Sequence, residues 1–163
     1  MKPWDLGVLS VGENKRYLYN GEKPFFWLGD TAWLIFSRLT EEEAYTYLRN
    51  RKEKGYNVIQ ATLIHEWPQK NLEGDPALKE ESLFLPDEES GYWTRAERIV
   101  DMAGDLGLYM ALLPTWGEHV SLGRLNPDNM EHYLSFLVRK FGRKKNVIWL
   151  VGGDVKGLSL IHI

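Results

Sequence analysis

Asn146 to Asp154 reads NVIWLVGGD, an apolar run closed by two glycines and a carboxylate. Buried parallel strands read as such runs, and in α/β folds the loops at strand C-terminal ends carry the chemistry. Asp154 is therefore a candidate catalytic acid. Three earlier runs end in the same manner. Phe25–Leu28 leads into Gly29, Asp30, Thr31 and Trp33, Asn57–Ile64 into His65, Glu66 and Trp67, and Leu108–Leu113 into Trp116, Glu118 and His119. Carboxylates beside flat aromatic faces suit sugars, whose C–H faces stack on indole while their hydroxyls bond to acids. Cleaving a glycosidic bond further needs two carboxyl groups straddling it, one protonated and one ionised.

Each residue also has a plainer use. An Asp after Gly-Gly is commonly a turn residue or helix cap, and Asp30 can cap a short turn before Thr31. His65 and His119 serve equally well as loop histidines. A metal set of His65, Glu66 and His119 is imaginable, but no H-x-x-x-H or H-x-H spacing supports it, so neither metal nor cofactor is expected. Trp27 and Trp149 lie inside apolar runs and are expected in the core. Trp33, Trp67 and Trp116 lie beyond the runs and are expected to line a cleft.

The elements that must position these groups follow from periodicity and punctuation. Val8–Val11 and Arg16–Tyr19 flank a Gly12-Glu13-Asn14 turn, and Asn20-Gly21 is a strong hairpin signal, so residues 1–24 read as a β lead-in. Phe25–Leu28 is then the first core strand. Thr40 with Glu43 forms a capping box, Glu41 and Glu42 add negative charge to the first turn, and Gly55 ends that helix. Residues 65–90, broken by Pro68, Gly74, Pro76 and Pro86, read as a long functional loop or insertion. A second helix carries Trp93, Ile99, Val100, Met102, Ala103 and Leu106 on one side and closes at Gly107. A third is capped by Asn126, starts at Pro127, and repeats Met130, Tyr133, Leu134, Leu137, Val138 and Phe141 before Gly142. The fourth strand spans Val147–Val151.

Each later strand is preceded by a helix and a glycine, which gives a parallel sheet with right-handed crossovers. A doubly wound sheet and a (β/α)8 barrel both fit. No G-x-G-x-x-G or Walker loop follows any strand, which disfavours the nucleotide-binding open sheets. The expected fold class is α/β, the N-terminal half of a (β/α)8 barrel behind a short β-hairpin lead-in.

Composition narrows the partners. The chain has 163 residues, 44% hydrophobic and 26% charged, with a net charge of −3, an ordinary balance for a globular protein. Its Arg143-Lys144-Lys145 cluster sits at a predicted helix end, where cations favour the dipole, so no nucleic acid is expected. Absent cysteines exclude a disulfide scaffold and a thiolate metal site. No apolar run approaches the length of a membrane span and no signal peptide is legible, leaving a cytoplasmic location as the default. Seven Trp, eight Tyr and six Phe are more aromatic surface than a plain core needs.

Four motifs converge on one family. Pro24-Phe25-Phe26-Trp27-Leu28-Gly29-Asp30-Thr31-Ala32-Trp33, Gly55-Tyr56-Asn57-Val58-Ile59-Gln60, Leu113-Pro114-Thr115-Trp116-Gly117 and Val147-Ile148-Trp149-Leu150-Val151-Gly152-Gly153-Asp154 together resemble the apiosidase-like glycosidases of glycoside hydrolase family 140. The resemblance runs from about residue 6 to about residue 156. It implies a (β/α)8 barrel of retaining type, with the acid/base after strand four and the nucleophile after strand seven. Asp154 then takes the acid/base position, while Asp30 and Trp116 resemble substrate-contacting positions. The nucleophile position and the C-terminal β-domain common in the family have no counterpart here.

The expected organisation is thus a lead-in over 1–24, the first half of a glycosidase barrel over 25–156, and a tail over 157–163. Leu158-Ser159-Leu160-Ile161-His162-Ile163 does not resemble the family's residues beyond this motif, and the tail is expected to be non-native. The expected function is that of a retaining hydrolase acting on plant cell-wall, pectic side chains, present as an incomplete and inactive fragment with open sheet edges prone to aggregation. Its carbohydrate is expected to meet Asp30, Trp33, His65, Glu66, Trp67, Trp116 and Glu118. A non-catalytic carbohydrate-binding protein and a metal-dependent barrel hydrolase are the alternatives.

Overall fold

The structure is a computed structural model that describes residues 1–152. After a 3-10 turn at Pro3–Leu6, strands β1 (Leu9–Val11), β2 (Leu18–Asn20) and β3 (Lys23–Phe25) form an antiparallel sheet in that order. Gly21, at φ +60°, makes the turn between β2 and β3. A Cβ there would collide with the Leu6 carbonyl, so the 3-10 turn can press against it only because it is glycine.

The first barrel strand lies further along than the apolar run suggests. It is β4, Gly29–Thr31, whereas Phe25 pairs with Leu18 in the lead-in sheet. Asn57 explains the shift. Its side-chain oxygen accepts from Leu28 N at 2.9 Å and its amide donates to Phe26 O at 2.6 Å. With those backbone groups spent on a side chain, the ladder to the next strand begins only at Gly29 opposite Val58. Phe26 is left 78% exposed, and Trp27, expected in the core, is half-buried.

Helix α1 (Ile35–Arg38) and helix α2 (Glu41–Glu53) follow, the latter opened by the expected capping box: Thr40 Oγ1 accepts from Glu43 N, and Glu43 Oε2 accepts from Thr40 N. Next come β5 (Val58–Thr62), a small antiparallel pair β6 (Leu78–Glu80) and β7 (Leu85–Pro86), and helix α3 (Gly91–Asp105). The expected loop over 65–90 therefore contains a hairpin of its own. Strand β8 (Tyr109–Leu113), the one-turn helix α4 (Gly117–Ser121), helix α5 (Met130–Phe141) and strand β9 (Val147–Trp149) complete the order. α5 starts later than Pro127 because Asn126 Oδ1 accepts from Asp128 N in a separate turn.

Strands β4, β5, β8 and β9 are all parallel and lie in sequence order. Because side chains alternate along a strand, the register assigns each residue to a face. Ile59, Ala61, Met110, Leu112, Val147 and Trp149 face the helices and pack with Leu48, Ile99, Ala103, Leu137 and Phe141. Val58, Tyr109, Ala111 and Ile148 line the opposite, lumenal face, where Trp4, Leu9, Phe25 and Trp27 of the N-terminal segment cover them. Tyr109 is the centre of that contact, with Trp4 and Phe25 edge-on at 5.3 and 5.7 Å and Asn20 Nδ2 donating to its hydroxyl at 3.2 Å. Four consecutive parallel strands of a (β/α)8 barrel, joined by three helical crossovers and floored by a three-stranded lead-in, are the result among the described residues. No helix among the described residues is long and apolar enough to cross a membrane.

Candidate active site

The ladder between strands continues past their ends and so brings three loops together. Ala32 N donates to Gln60 O, Thr62 N to Trp33 O, Leu63 N to Leu113 O and Trp116 N to Ile64 O, all at 2.8–3.2 Å. Thr115 Oγ1 donates to Ile64 O as well, at 3.2 Å. As a consequence Trp33, from β4, lies 5.5 Å from Trp116, from β8, at an interplanar angle of 62°. His65, from β5, lies over Trp116 at 4.7 Å and 30°. All three rings are half-buried, forming an aromatic platform with one edge toward solvent.

Gln69 clamps the loop under this platform. Its side-chain oxygen accepts from both His65 N and Glu66 N, at 2.7 and 2.8 Å, and its side chain is buried. Glu66 pairs with Arg38 of α1 at the exposed rim. Trp67 is less available than its position after β5 suggests, because Phe84 stacks on it at 5.5 Å and the Arg124 guanidinium lies over it at 4.9 Å. Glu118 is exposed, outside the platform.

His119 lies behind these rings, buried in α4. Arg124 Nη1 is 2.9 Å from its Nδ1, and a guanidinium can only donate, so Nδ1 accepts and the ring proton sits on Nε2. Nε2 then donates to His65 O at 3.2 Å. Burial, reinforced by Arg124, pushes the imidazole pKa below its usual 6.5 despite the His65 carbonyl. Both nitrogens are engaged inside the protein, which removes His119 from the imagined metal set with His65 and Glu66.

Asp30 sits on the other side of the sheet. It pairs in register with Ile59, on the helix face, and its Oδ2 accepts from Tyr47 at 2.9 Å and Arg51 at 2.8 Å, both on α2. Burial works to raise its pKa, but Arg51, Tyr47 and the Thr31 amide outweigh it and hold the carboxyl below 3.8. Asp154 lies outside the described residues. Among the proposed residues the structure thus unites Trp33, His65 and Trp116, with Glu66 at the rim, and turns Asp30 away. Gln69, Arg124, Arg38, Tyr47 and Arg51 were not singled out from sequence, since their partners lie at no periodic spacing.

A family model described as "Apiosidase-like, catalytic domain" matches residues 12–162. A solved structure described as a glycoside hydrolase superposes with a TM-score of 0.88 and 37% identity over 96% of this chain and 36% of its own. The crystal structure of a glycoside hydrolase family 5 from Bacteroides vulgatus does so with a TM-score of 0.88 and 34% identity, over 96% and 35%. An endo-1,4-beta-mannanase from Rhizomucor miehei, 11% identical with a TM-score of 0.63 over 91% and 50%, shares the fold alone. No curated protein matches at the same significance. This chain spans about a third of the length of the first two structures. With its matched residues running from the lead-in through the fourth strand, the chain belongs to the apiosidase-like catalytic domain family.

Proposed function

We propose that this domain supplies the acid/base half of a retaining glycoside hydrolase acting on pectic side chains. The observation that carries the reading is the Trp33–Trp116–His65 platform at the ends of three adjacent strands, where a sugar ring can stack its C–H face. Asp154, at the end of the next strand by sequence, is the proposed general acid that protonates the leaving oxygen and later activates water. Glu66 is the proposed acceptor of a sugar hydroxyl. Asp30 and Trp67 shape the site from behind, through α2 and through the His119 pocket. Retention requires a second carboxylate about 5–5.5 Å from the first. Glu66 and Glu118 follow strands on the same side as Asp154, so neither reaches the opposite face of a sugar held by it, and the 163-residue chain alone is proposed to be inactive. Carbohydrate is the proposed partner, without nucleic acid or membrane.

The test uses a polypeptide carrying the whole barrel, assayed on apiose-containing pectic oligosaccharides and on activated aryl glycosides. Asp154→Asn is expected to lower turnover of the former by ~10²–10⁴-fold and the latter less, since a good leaving group needs little protonation. Equal loss on both substrates would reduce Asp154 to a sugar-positioning group, and no loss would end the glycosidase reading.

A further inference from the structure

His119 takes no part in the chemistry just proposed, yet it is only 1% exposed and tied to both loops that build the platform. Its backbone N–H donates to Trp116 O at 3.0 Å, and its side-chain Nε2 donates to His65 O at 3.2 Å. Its ring also lies against Trp67 at 5.3 Å and Phe84 at 6.3 Å. One residue therefore bridges the backbones of the two rings that stack on each other. Arg124 is attached in turn, its own N–H donating to His119 O at 2.9 Å while its guanidinium meets Nδ1.

We propose that His119 is a positioning residue: the neutral Nε2–H imidazole, its tautomer fixed by Arg124, sets the spacing between the loops after β5 and β8 and so the geometry of the His65–Trp116–Trp33 platform. The purpose of the platform rests on the carbohydrate reading; its geometry does not. Protonation of Nδ1 would turn an accepted hydrogen bond into two donors and two positive charges facing one another. Of the charged groups around the ring, Arg124 and His65 oppose that second proton and Glu118 favours it. Trp67 and Phe84, which pack on its remaining sides, carry no charge. The lowered pKa keeps the bridging form in place at neutral pH.

The readout is the circular-dichroism couplet expected of two indoles in close, non-parallel contact, assigned to Trp33 and Trp116 by its disappearance in Trp33→Phe. His119→Phe keeps an aromatic ring but removes both nitrogens, and is expected to lose most of the couplet while unfolding cooperatively. His119→Gln, whose carboxamide N–H can reach His65 O, is expected to restore much of it, a rescue that simple core filling would not give. An undiminished couplet in His119→Phe, or no recovery in His119→Gln, overturns the proposal. Should His119→Phe fail to fold, nitrogen NMR of the unmodified protein decides: Nδ1 must read as unprotonated and Nε2 as protonated, and the couplet must fade with the His119 titration. An Nδ1–H tautomer, or a couplet indifferent to that titration, overturns it. Binding of the same pectic oligosaccharides, followed separately, distinguishes the two readings: a couplet lost without loss of binding supports His119 positioning and counts against the carbohydrate role alone.

Discussion

The helix face of the sheet and the ends of its strands use ionisable residues in opposite ways. On the helix face, Asp30 is kept charged by Arg51 and Tyr47 and serves to join β4 to α2. At the strand ends, His119 is kept neutral by burial and by Arg124, and through its bond to the His65 carbonyl it joins two loops. The difference between them is one of register: a residue inside a strand is assigned to a layer by parity, whereas a residue beyond it is placed by whatever the loop can reach. Asp30 occupies a position that resembles a substrate contact, yet its carboxylate faces a helix.

Asp30→Ala should give the largest stability loss, about 2–3 kcal/mol, because it leaves a mostly buried Arg51 without its carboxylate. Urea unfolding measures it, and an unchanged midpoint would mean that α2 does not depend on this pin. Trp116→Ala is the counterpart, expected to abolish oligosaccharide binding at a smaller cost in stability. Gln69→Ala should lose about 1–3 kcal/mol, since two loop N–H groups would lose their acceptor. Thr40→Ala, which removes the cap of α2 and touches neither site, should lose about 1 kcal/mol. That value scales the others.

The two ionisable groups also separate by pH. For His119 the folded pKa lies below the unfolded one, so the unfolded chain takes up its proton first, and stability falls as pH drops from about 6.5 toward the folded value. For Asp30 the folded pKa again lies below the unfolded one, here below the ordinary 3.8 of the free carboxyl. Its contribution is complete at neutral pH and disappears only as the solution is acidified through that lower range. Unfolding midpoints measured against pH should therefore decline in two stages. The upper stage should be missing in His119→Phe and the lower one smaller in Asp30→Ala, where Glu43 and Glu97, also held below the usual carboxylate range, supply the remainder.

Local signals made much of the fold legible. The apolar runs at β5 and β8, the Thr40–Glu43 box and the spacing of Tyr133, Leu137 and Phe141 each describe interactions within a few residues of one another, and each appears where expected. β4 was displaced because Phe26, Trp27 and Leu28 have strand composition while Asn57, about thirty residues away, claims their backbone. The site was legible as residue types at strand ends. Its inner support was not, since the contact from His119 to His65 spans 54 positions and no pattern in either loop announces it.

Tyr109 has a consequence for the order in which the chain acquires its structure. The N-terminal segment packs Trp4, Phe25 and Asn20 against a residue that lies 89 positions beyond Asn20. During synthesis this segment leaves the ribosome well before β8 and has no partner until β8 has emerged and joined β5, which places the floor of the barrel late in folding although it precedes the barrel strands in sequence. Until then its apolar side is a surface for chaperones to cover, and the speed of translation through residues 26–113 sets how long that exposure lasts.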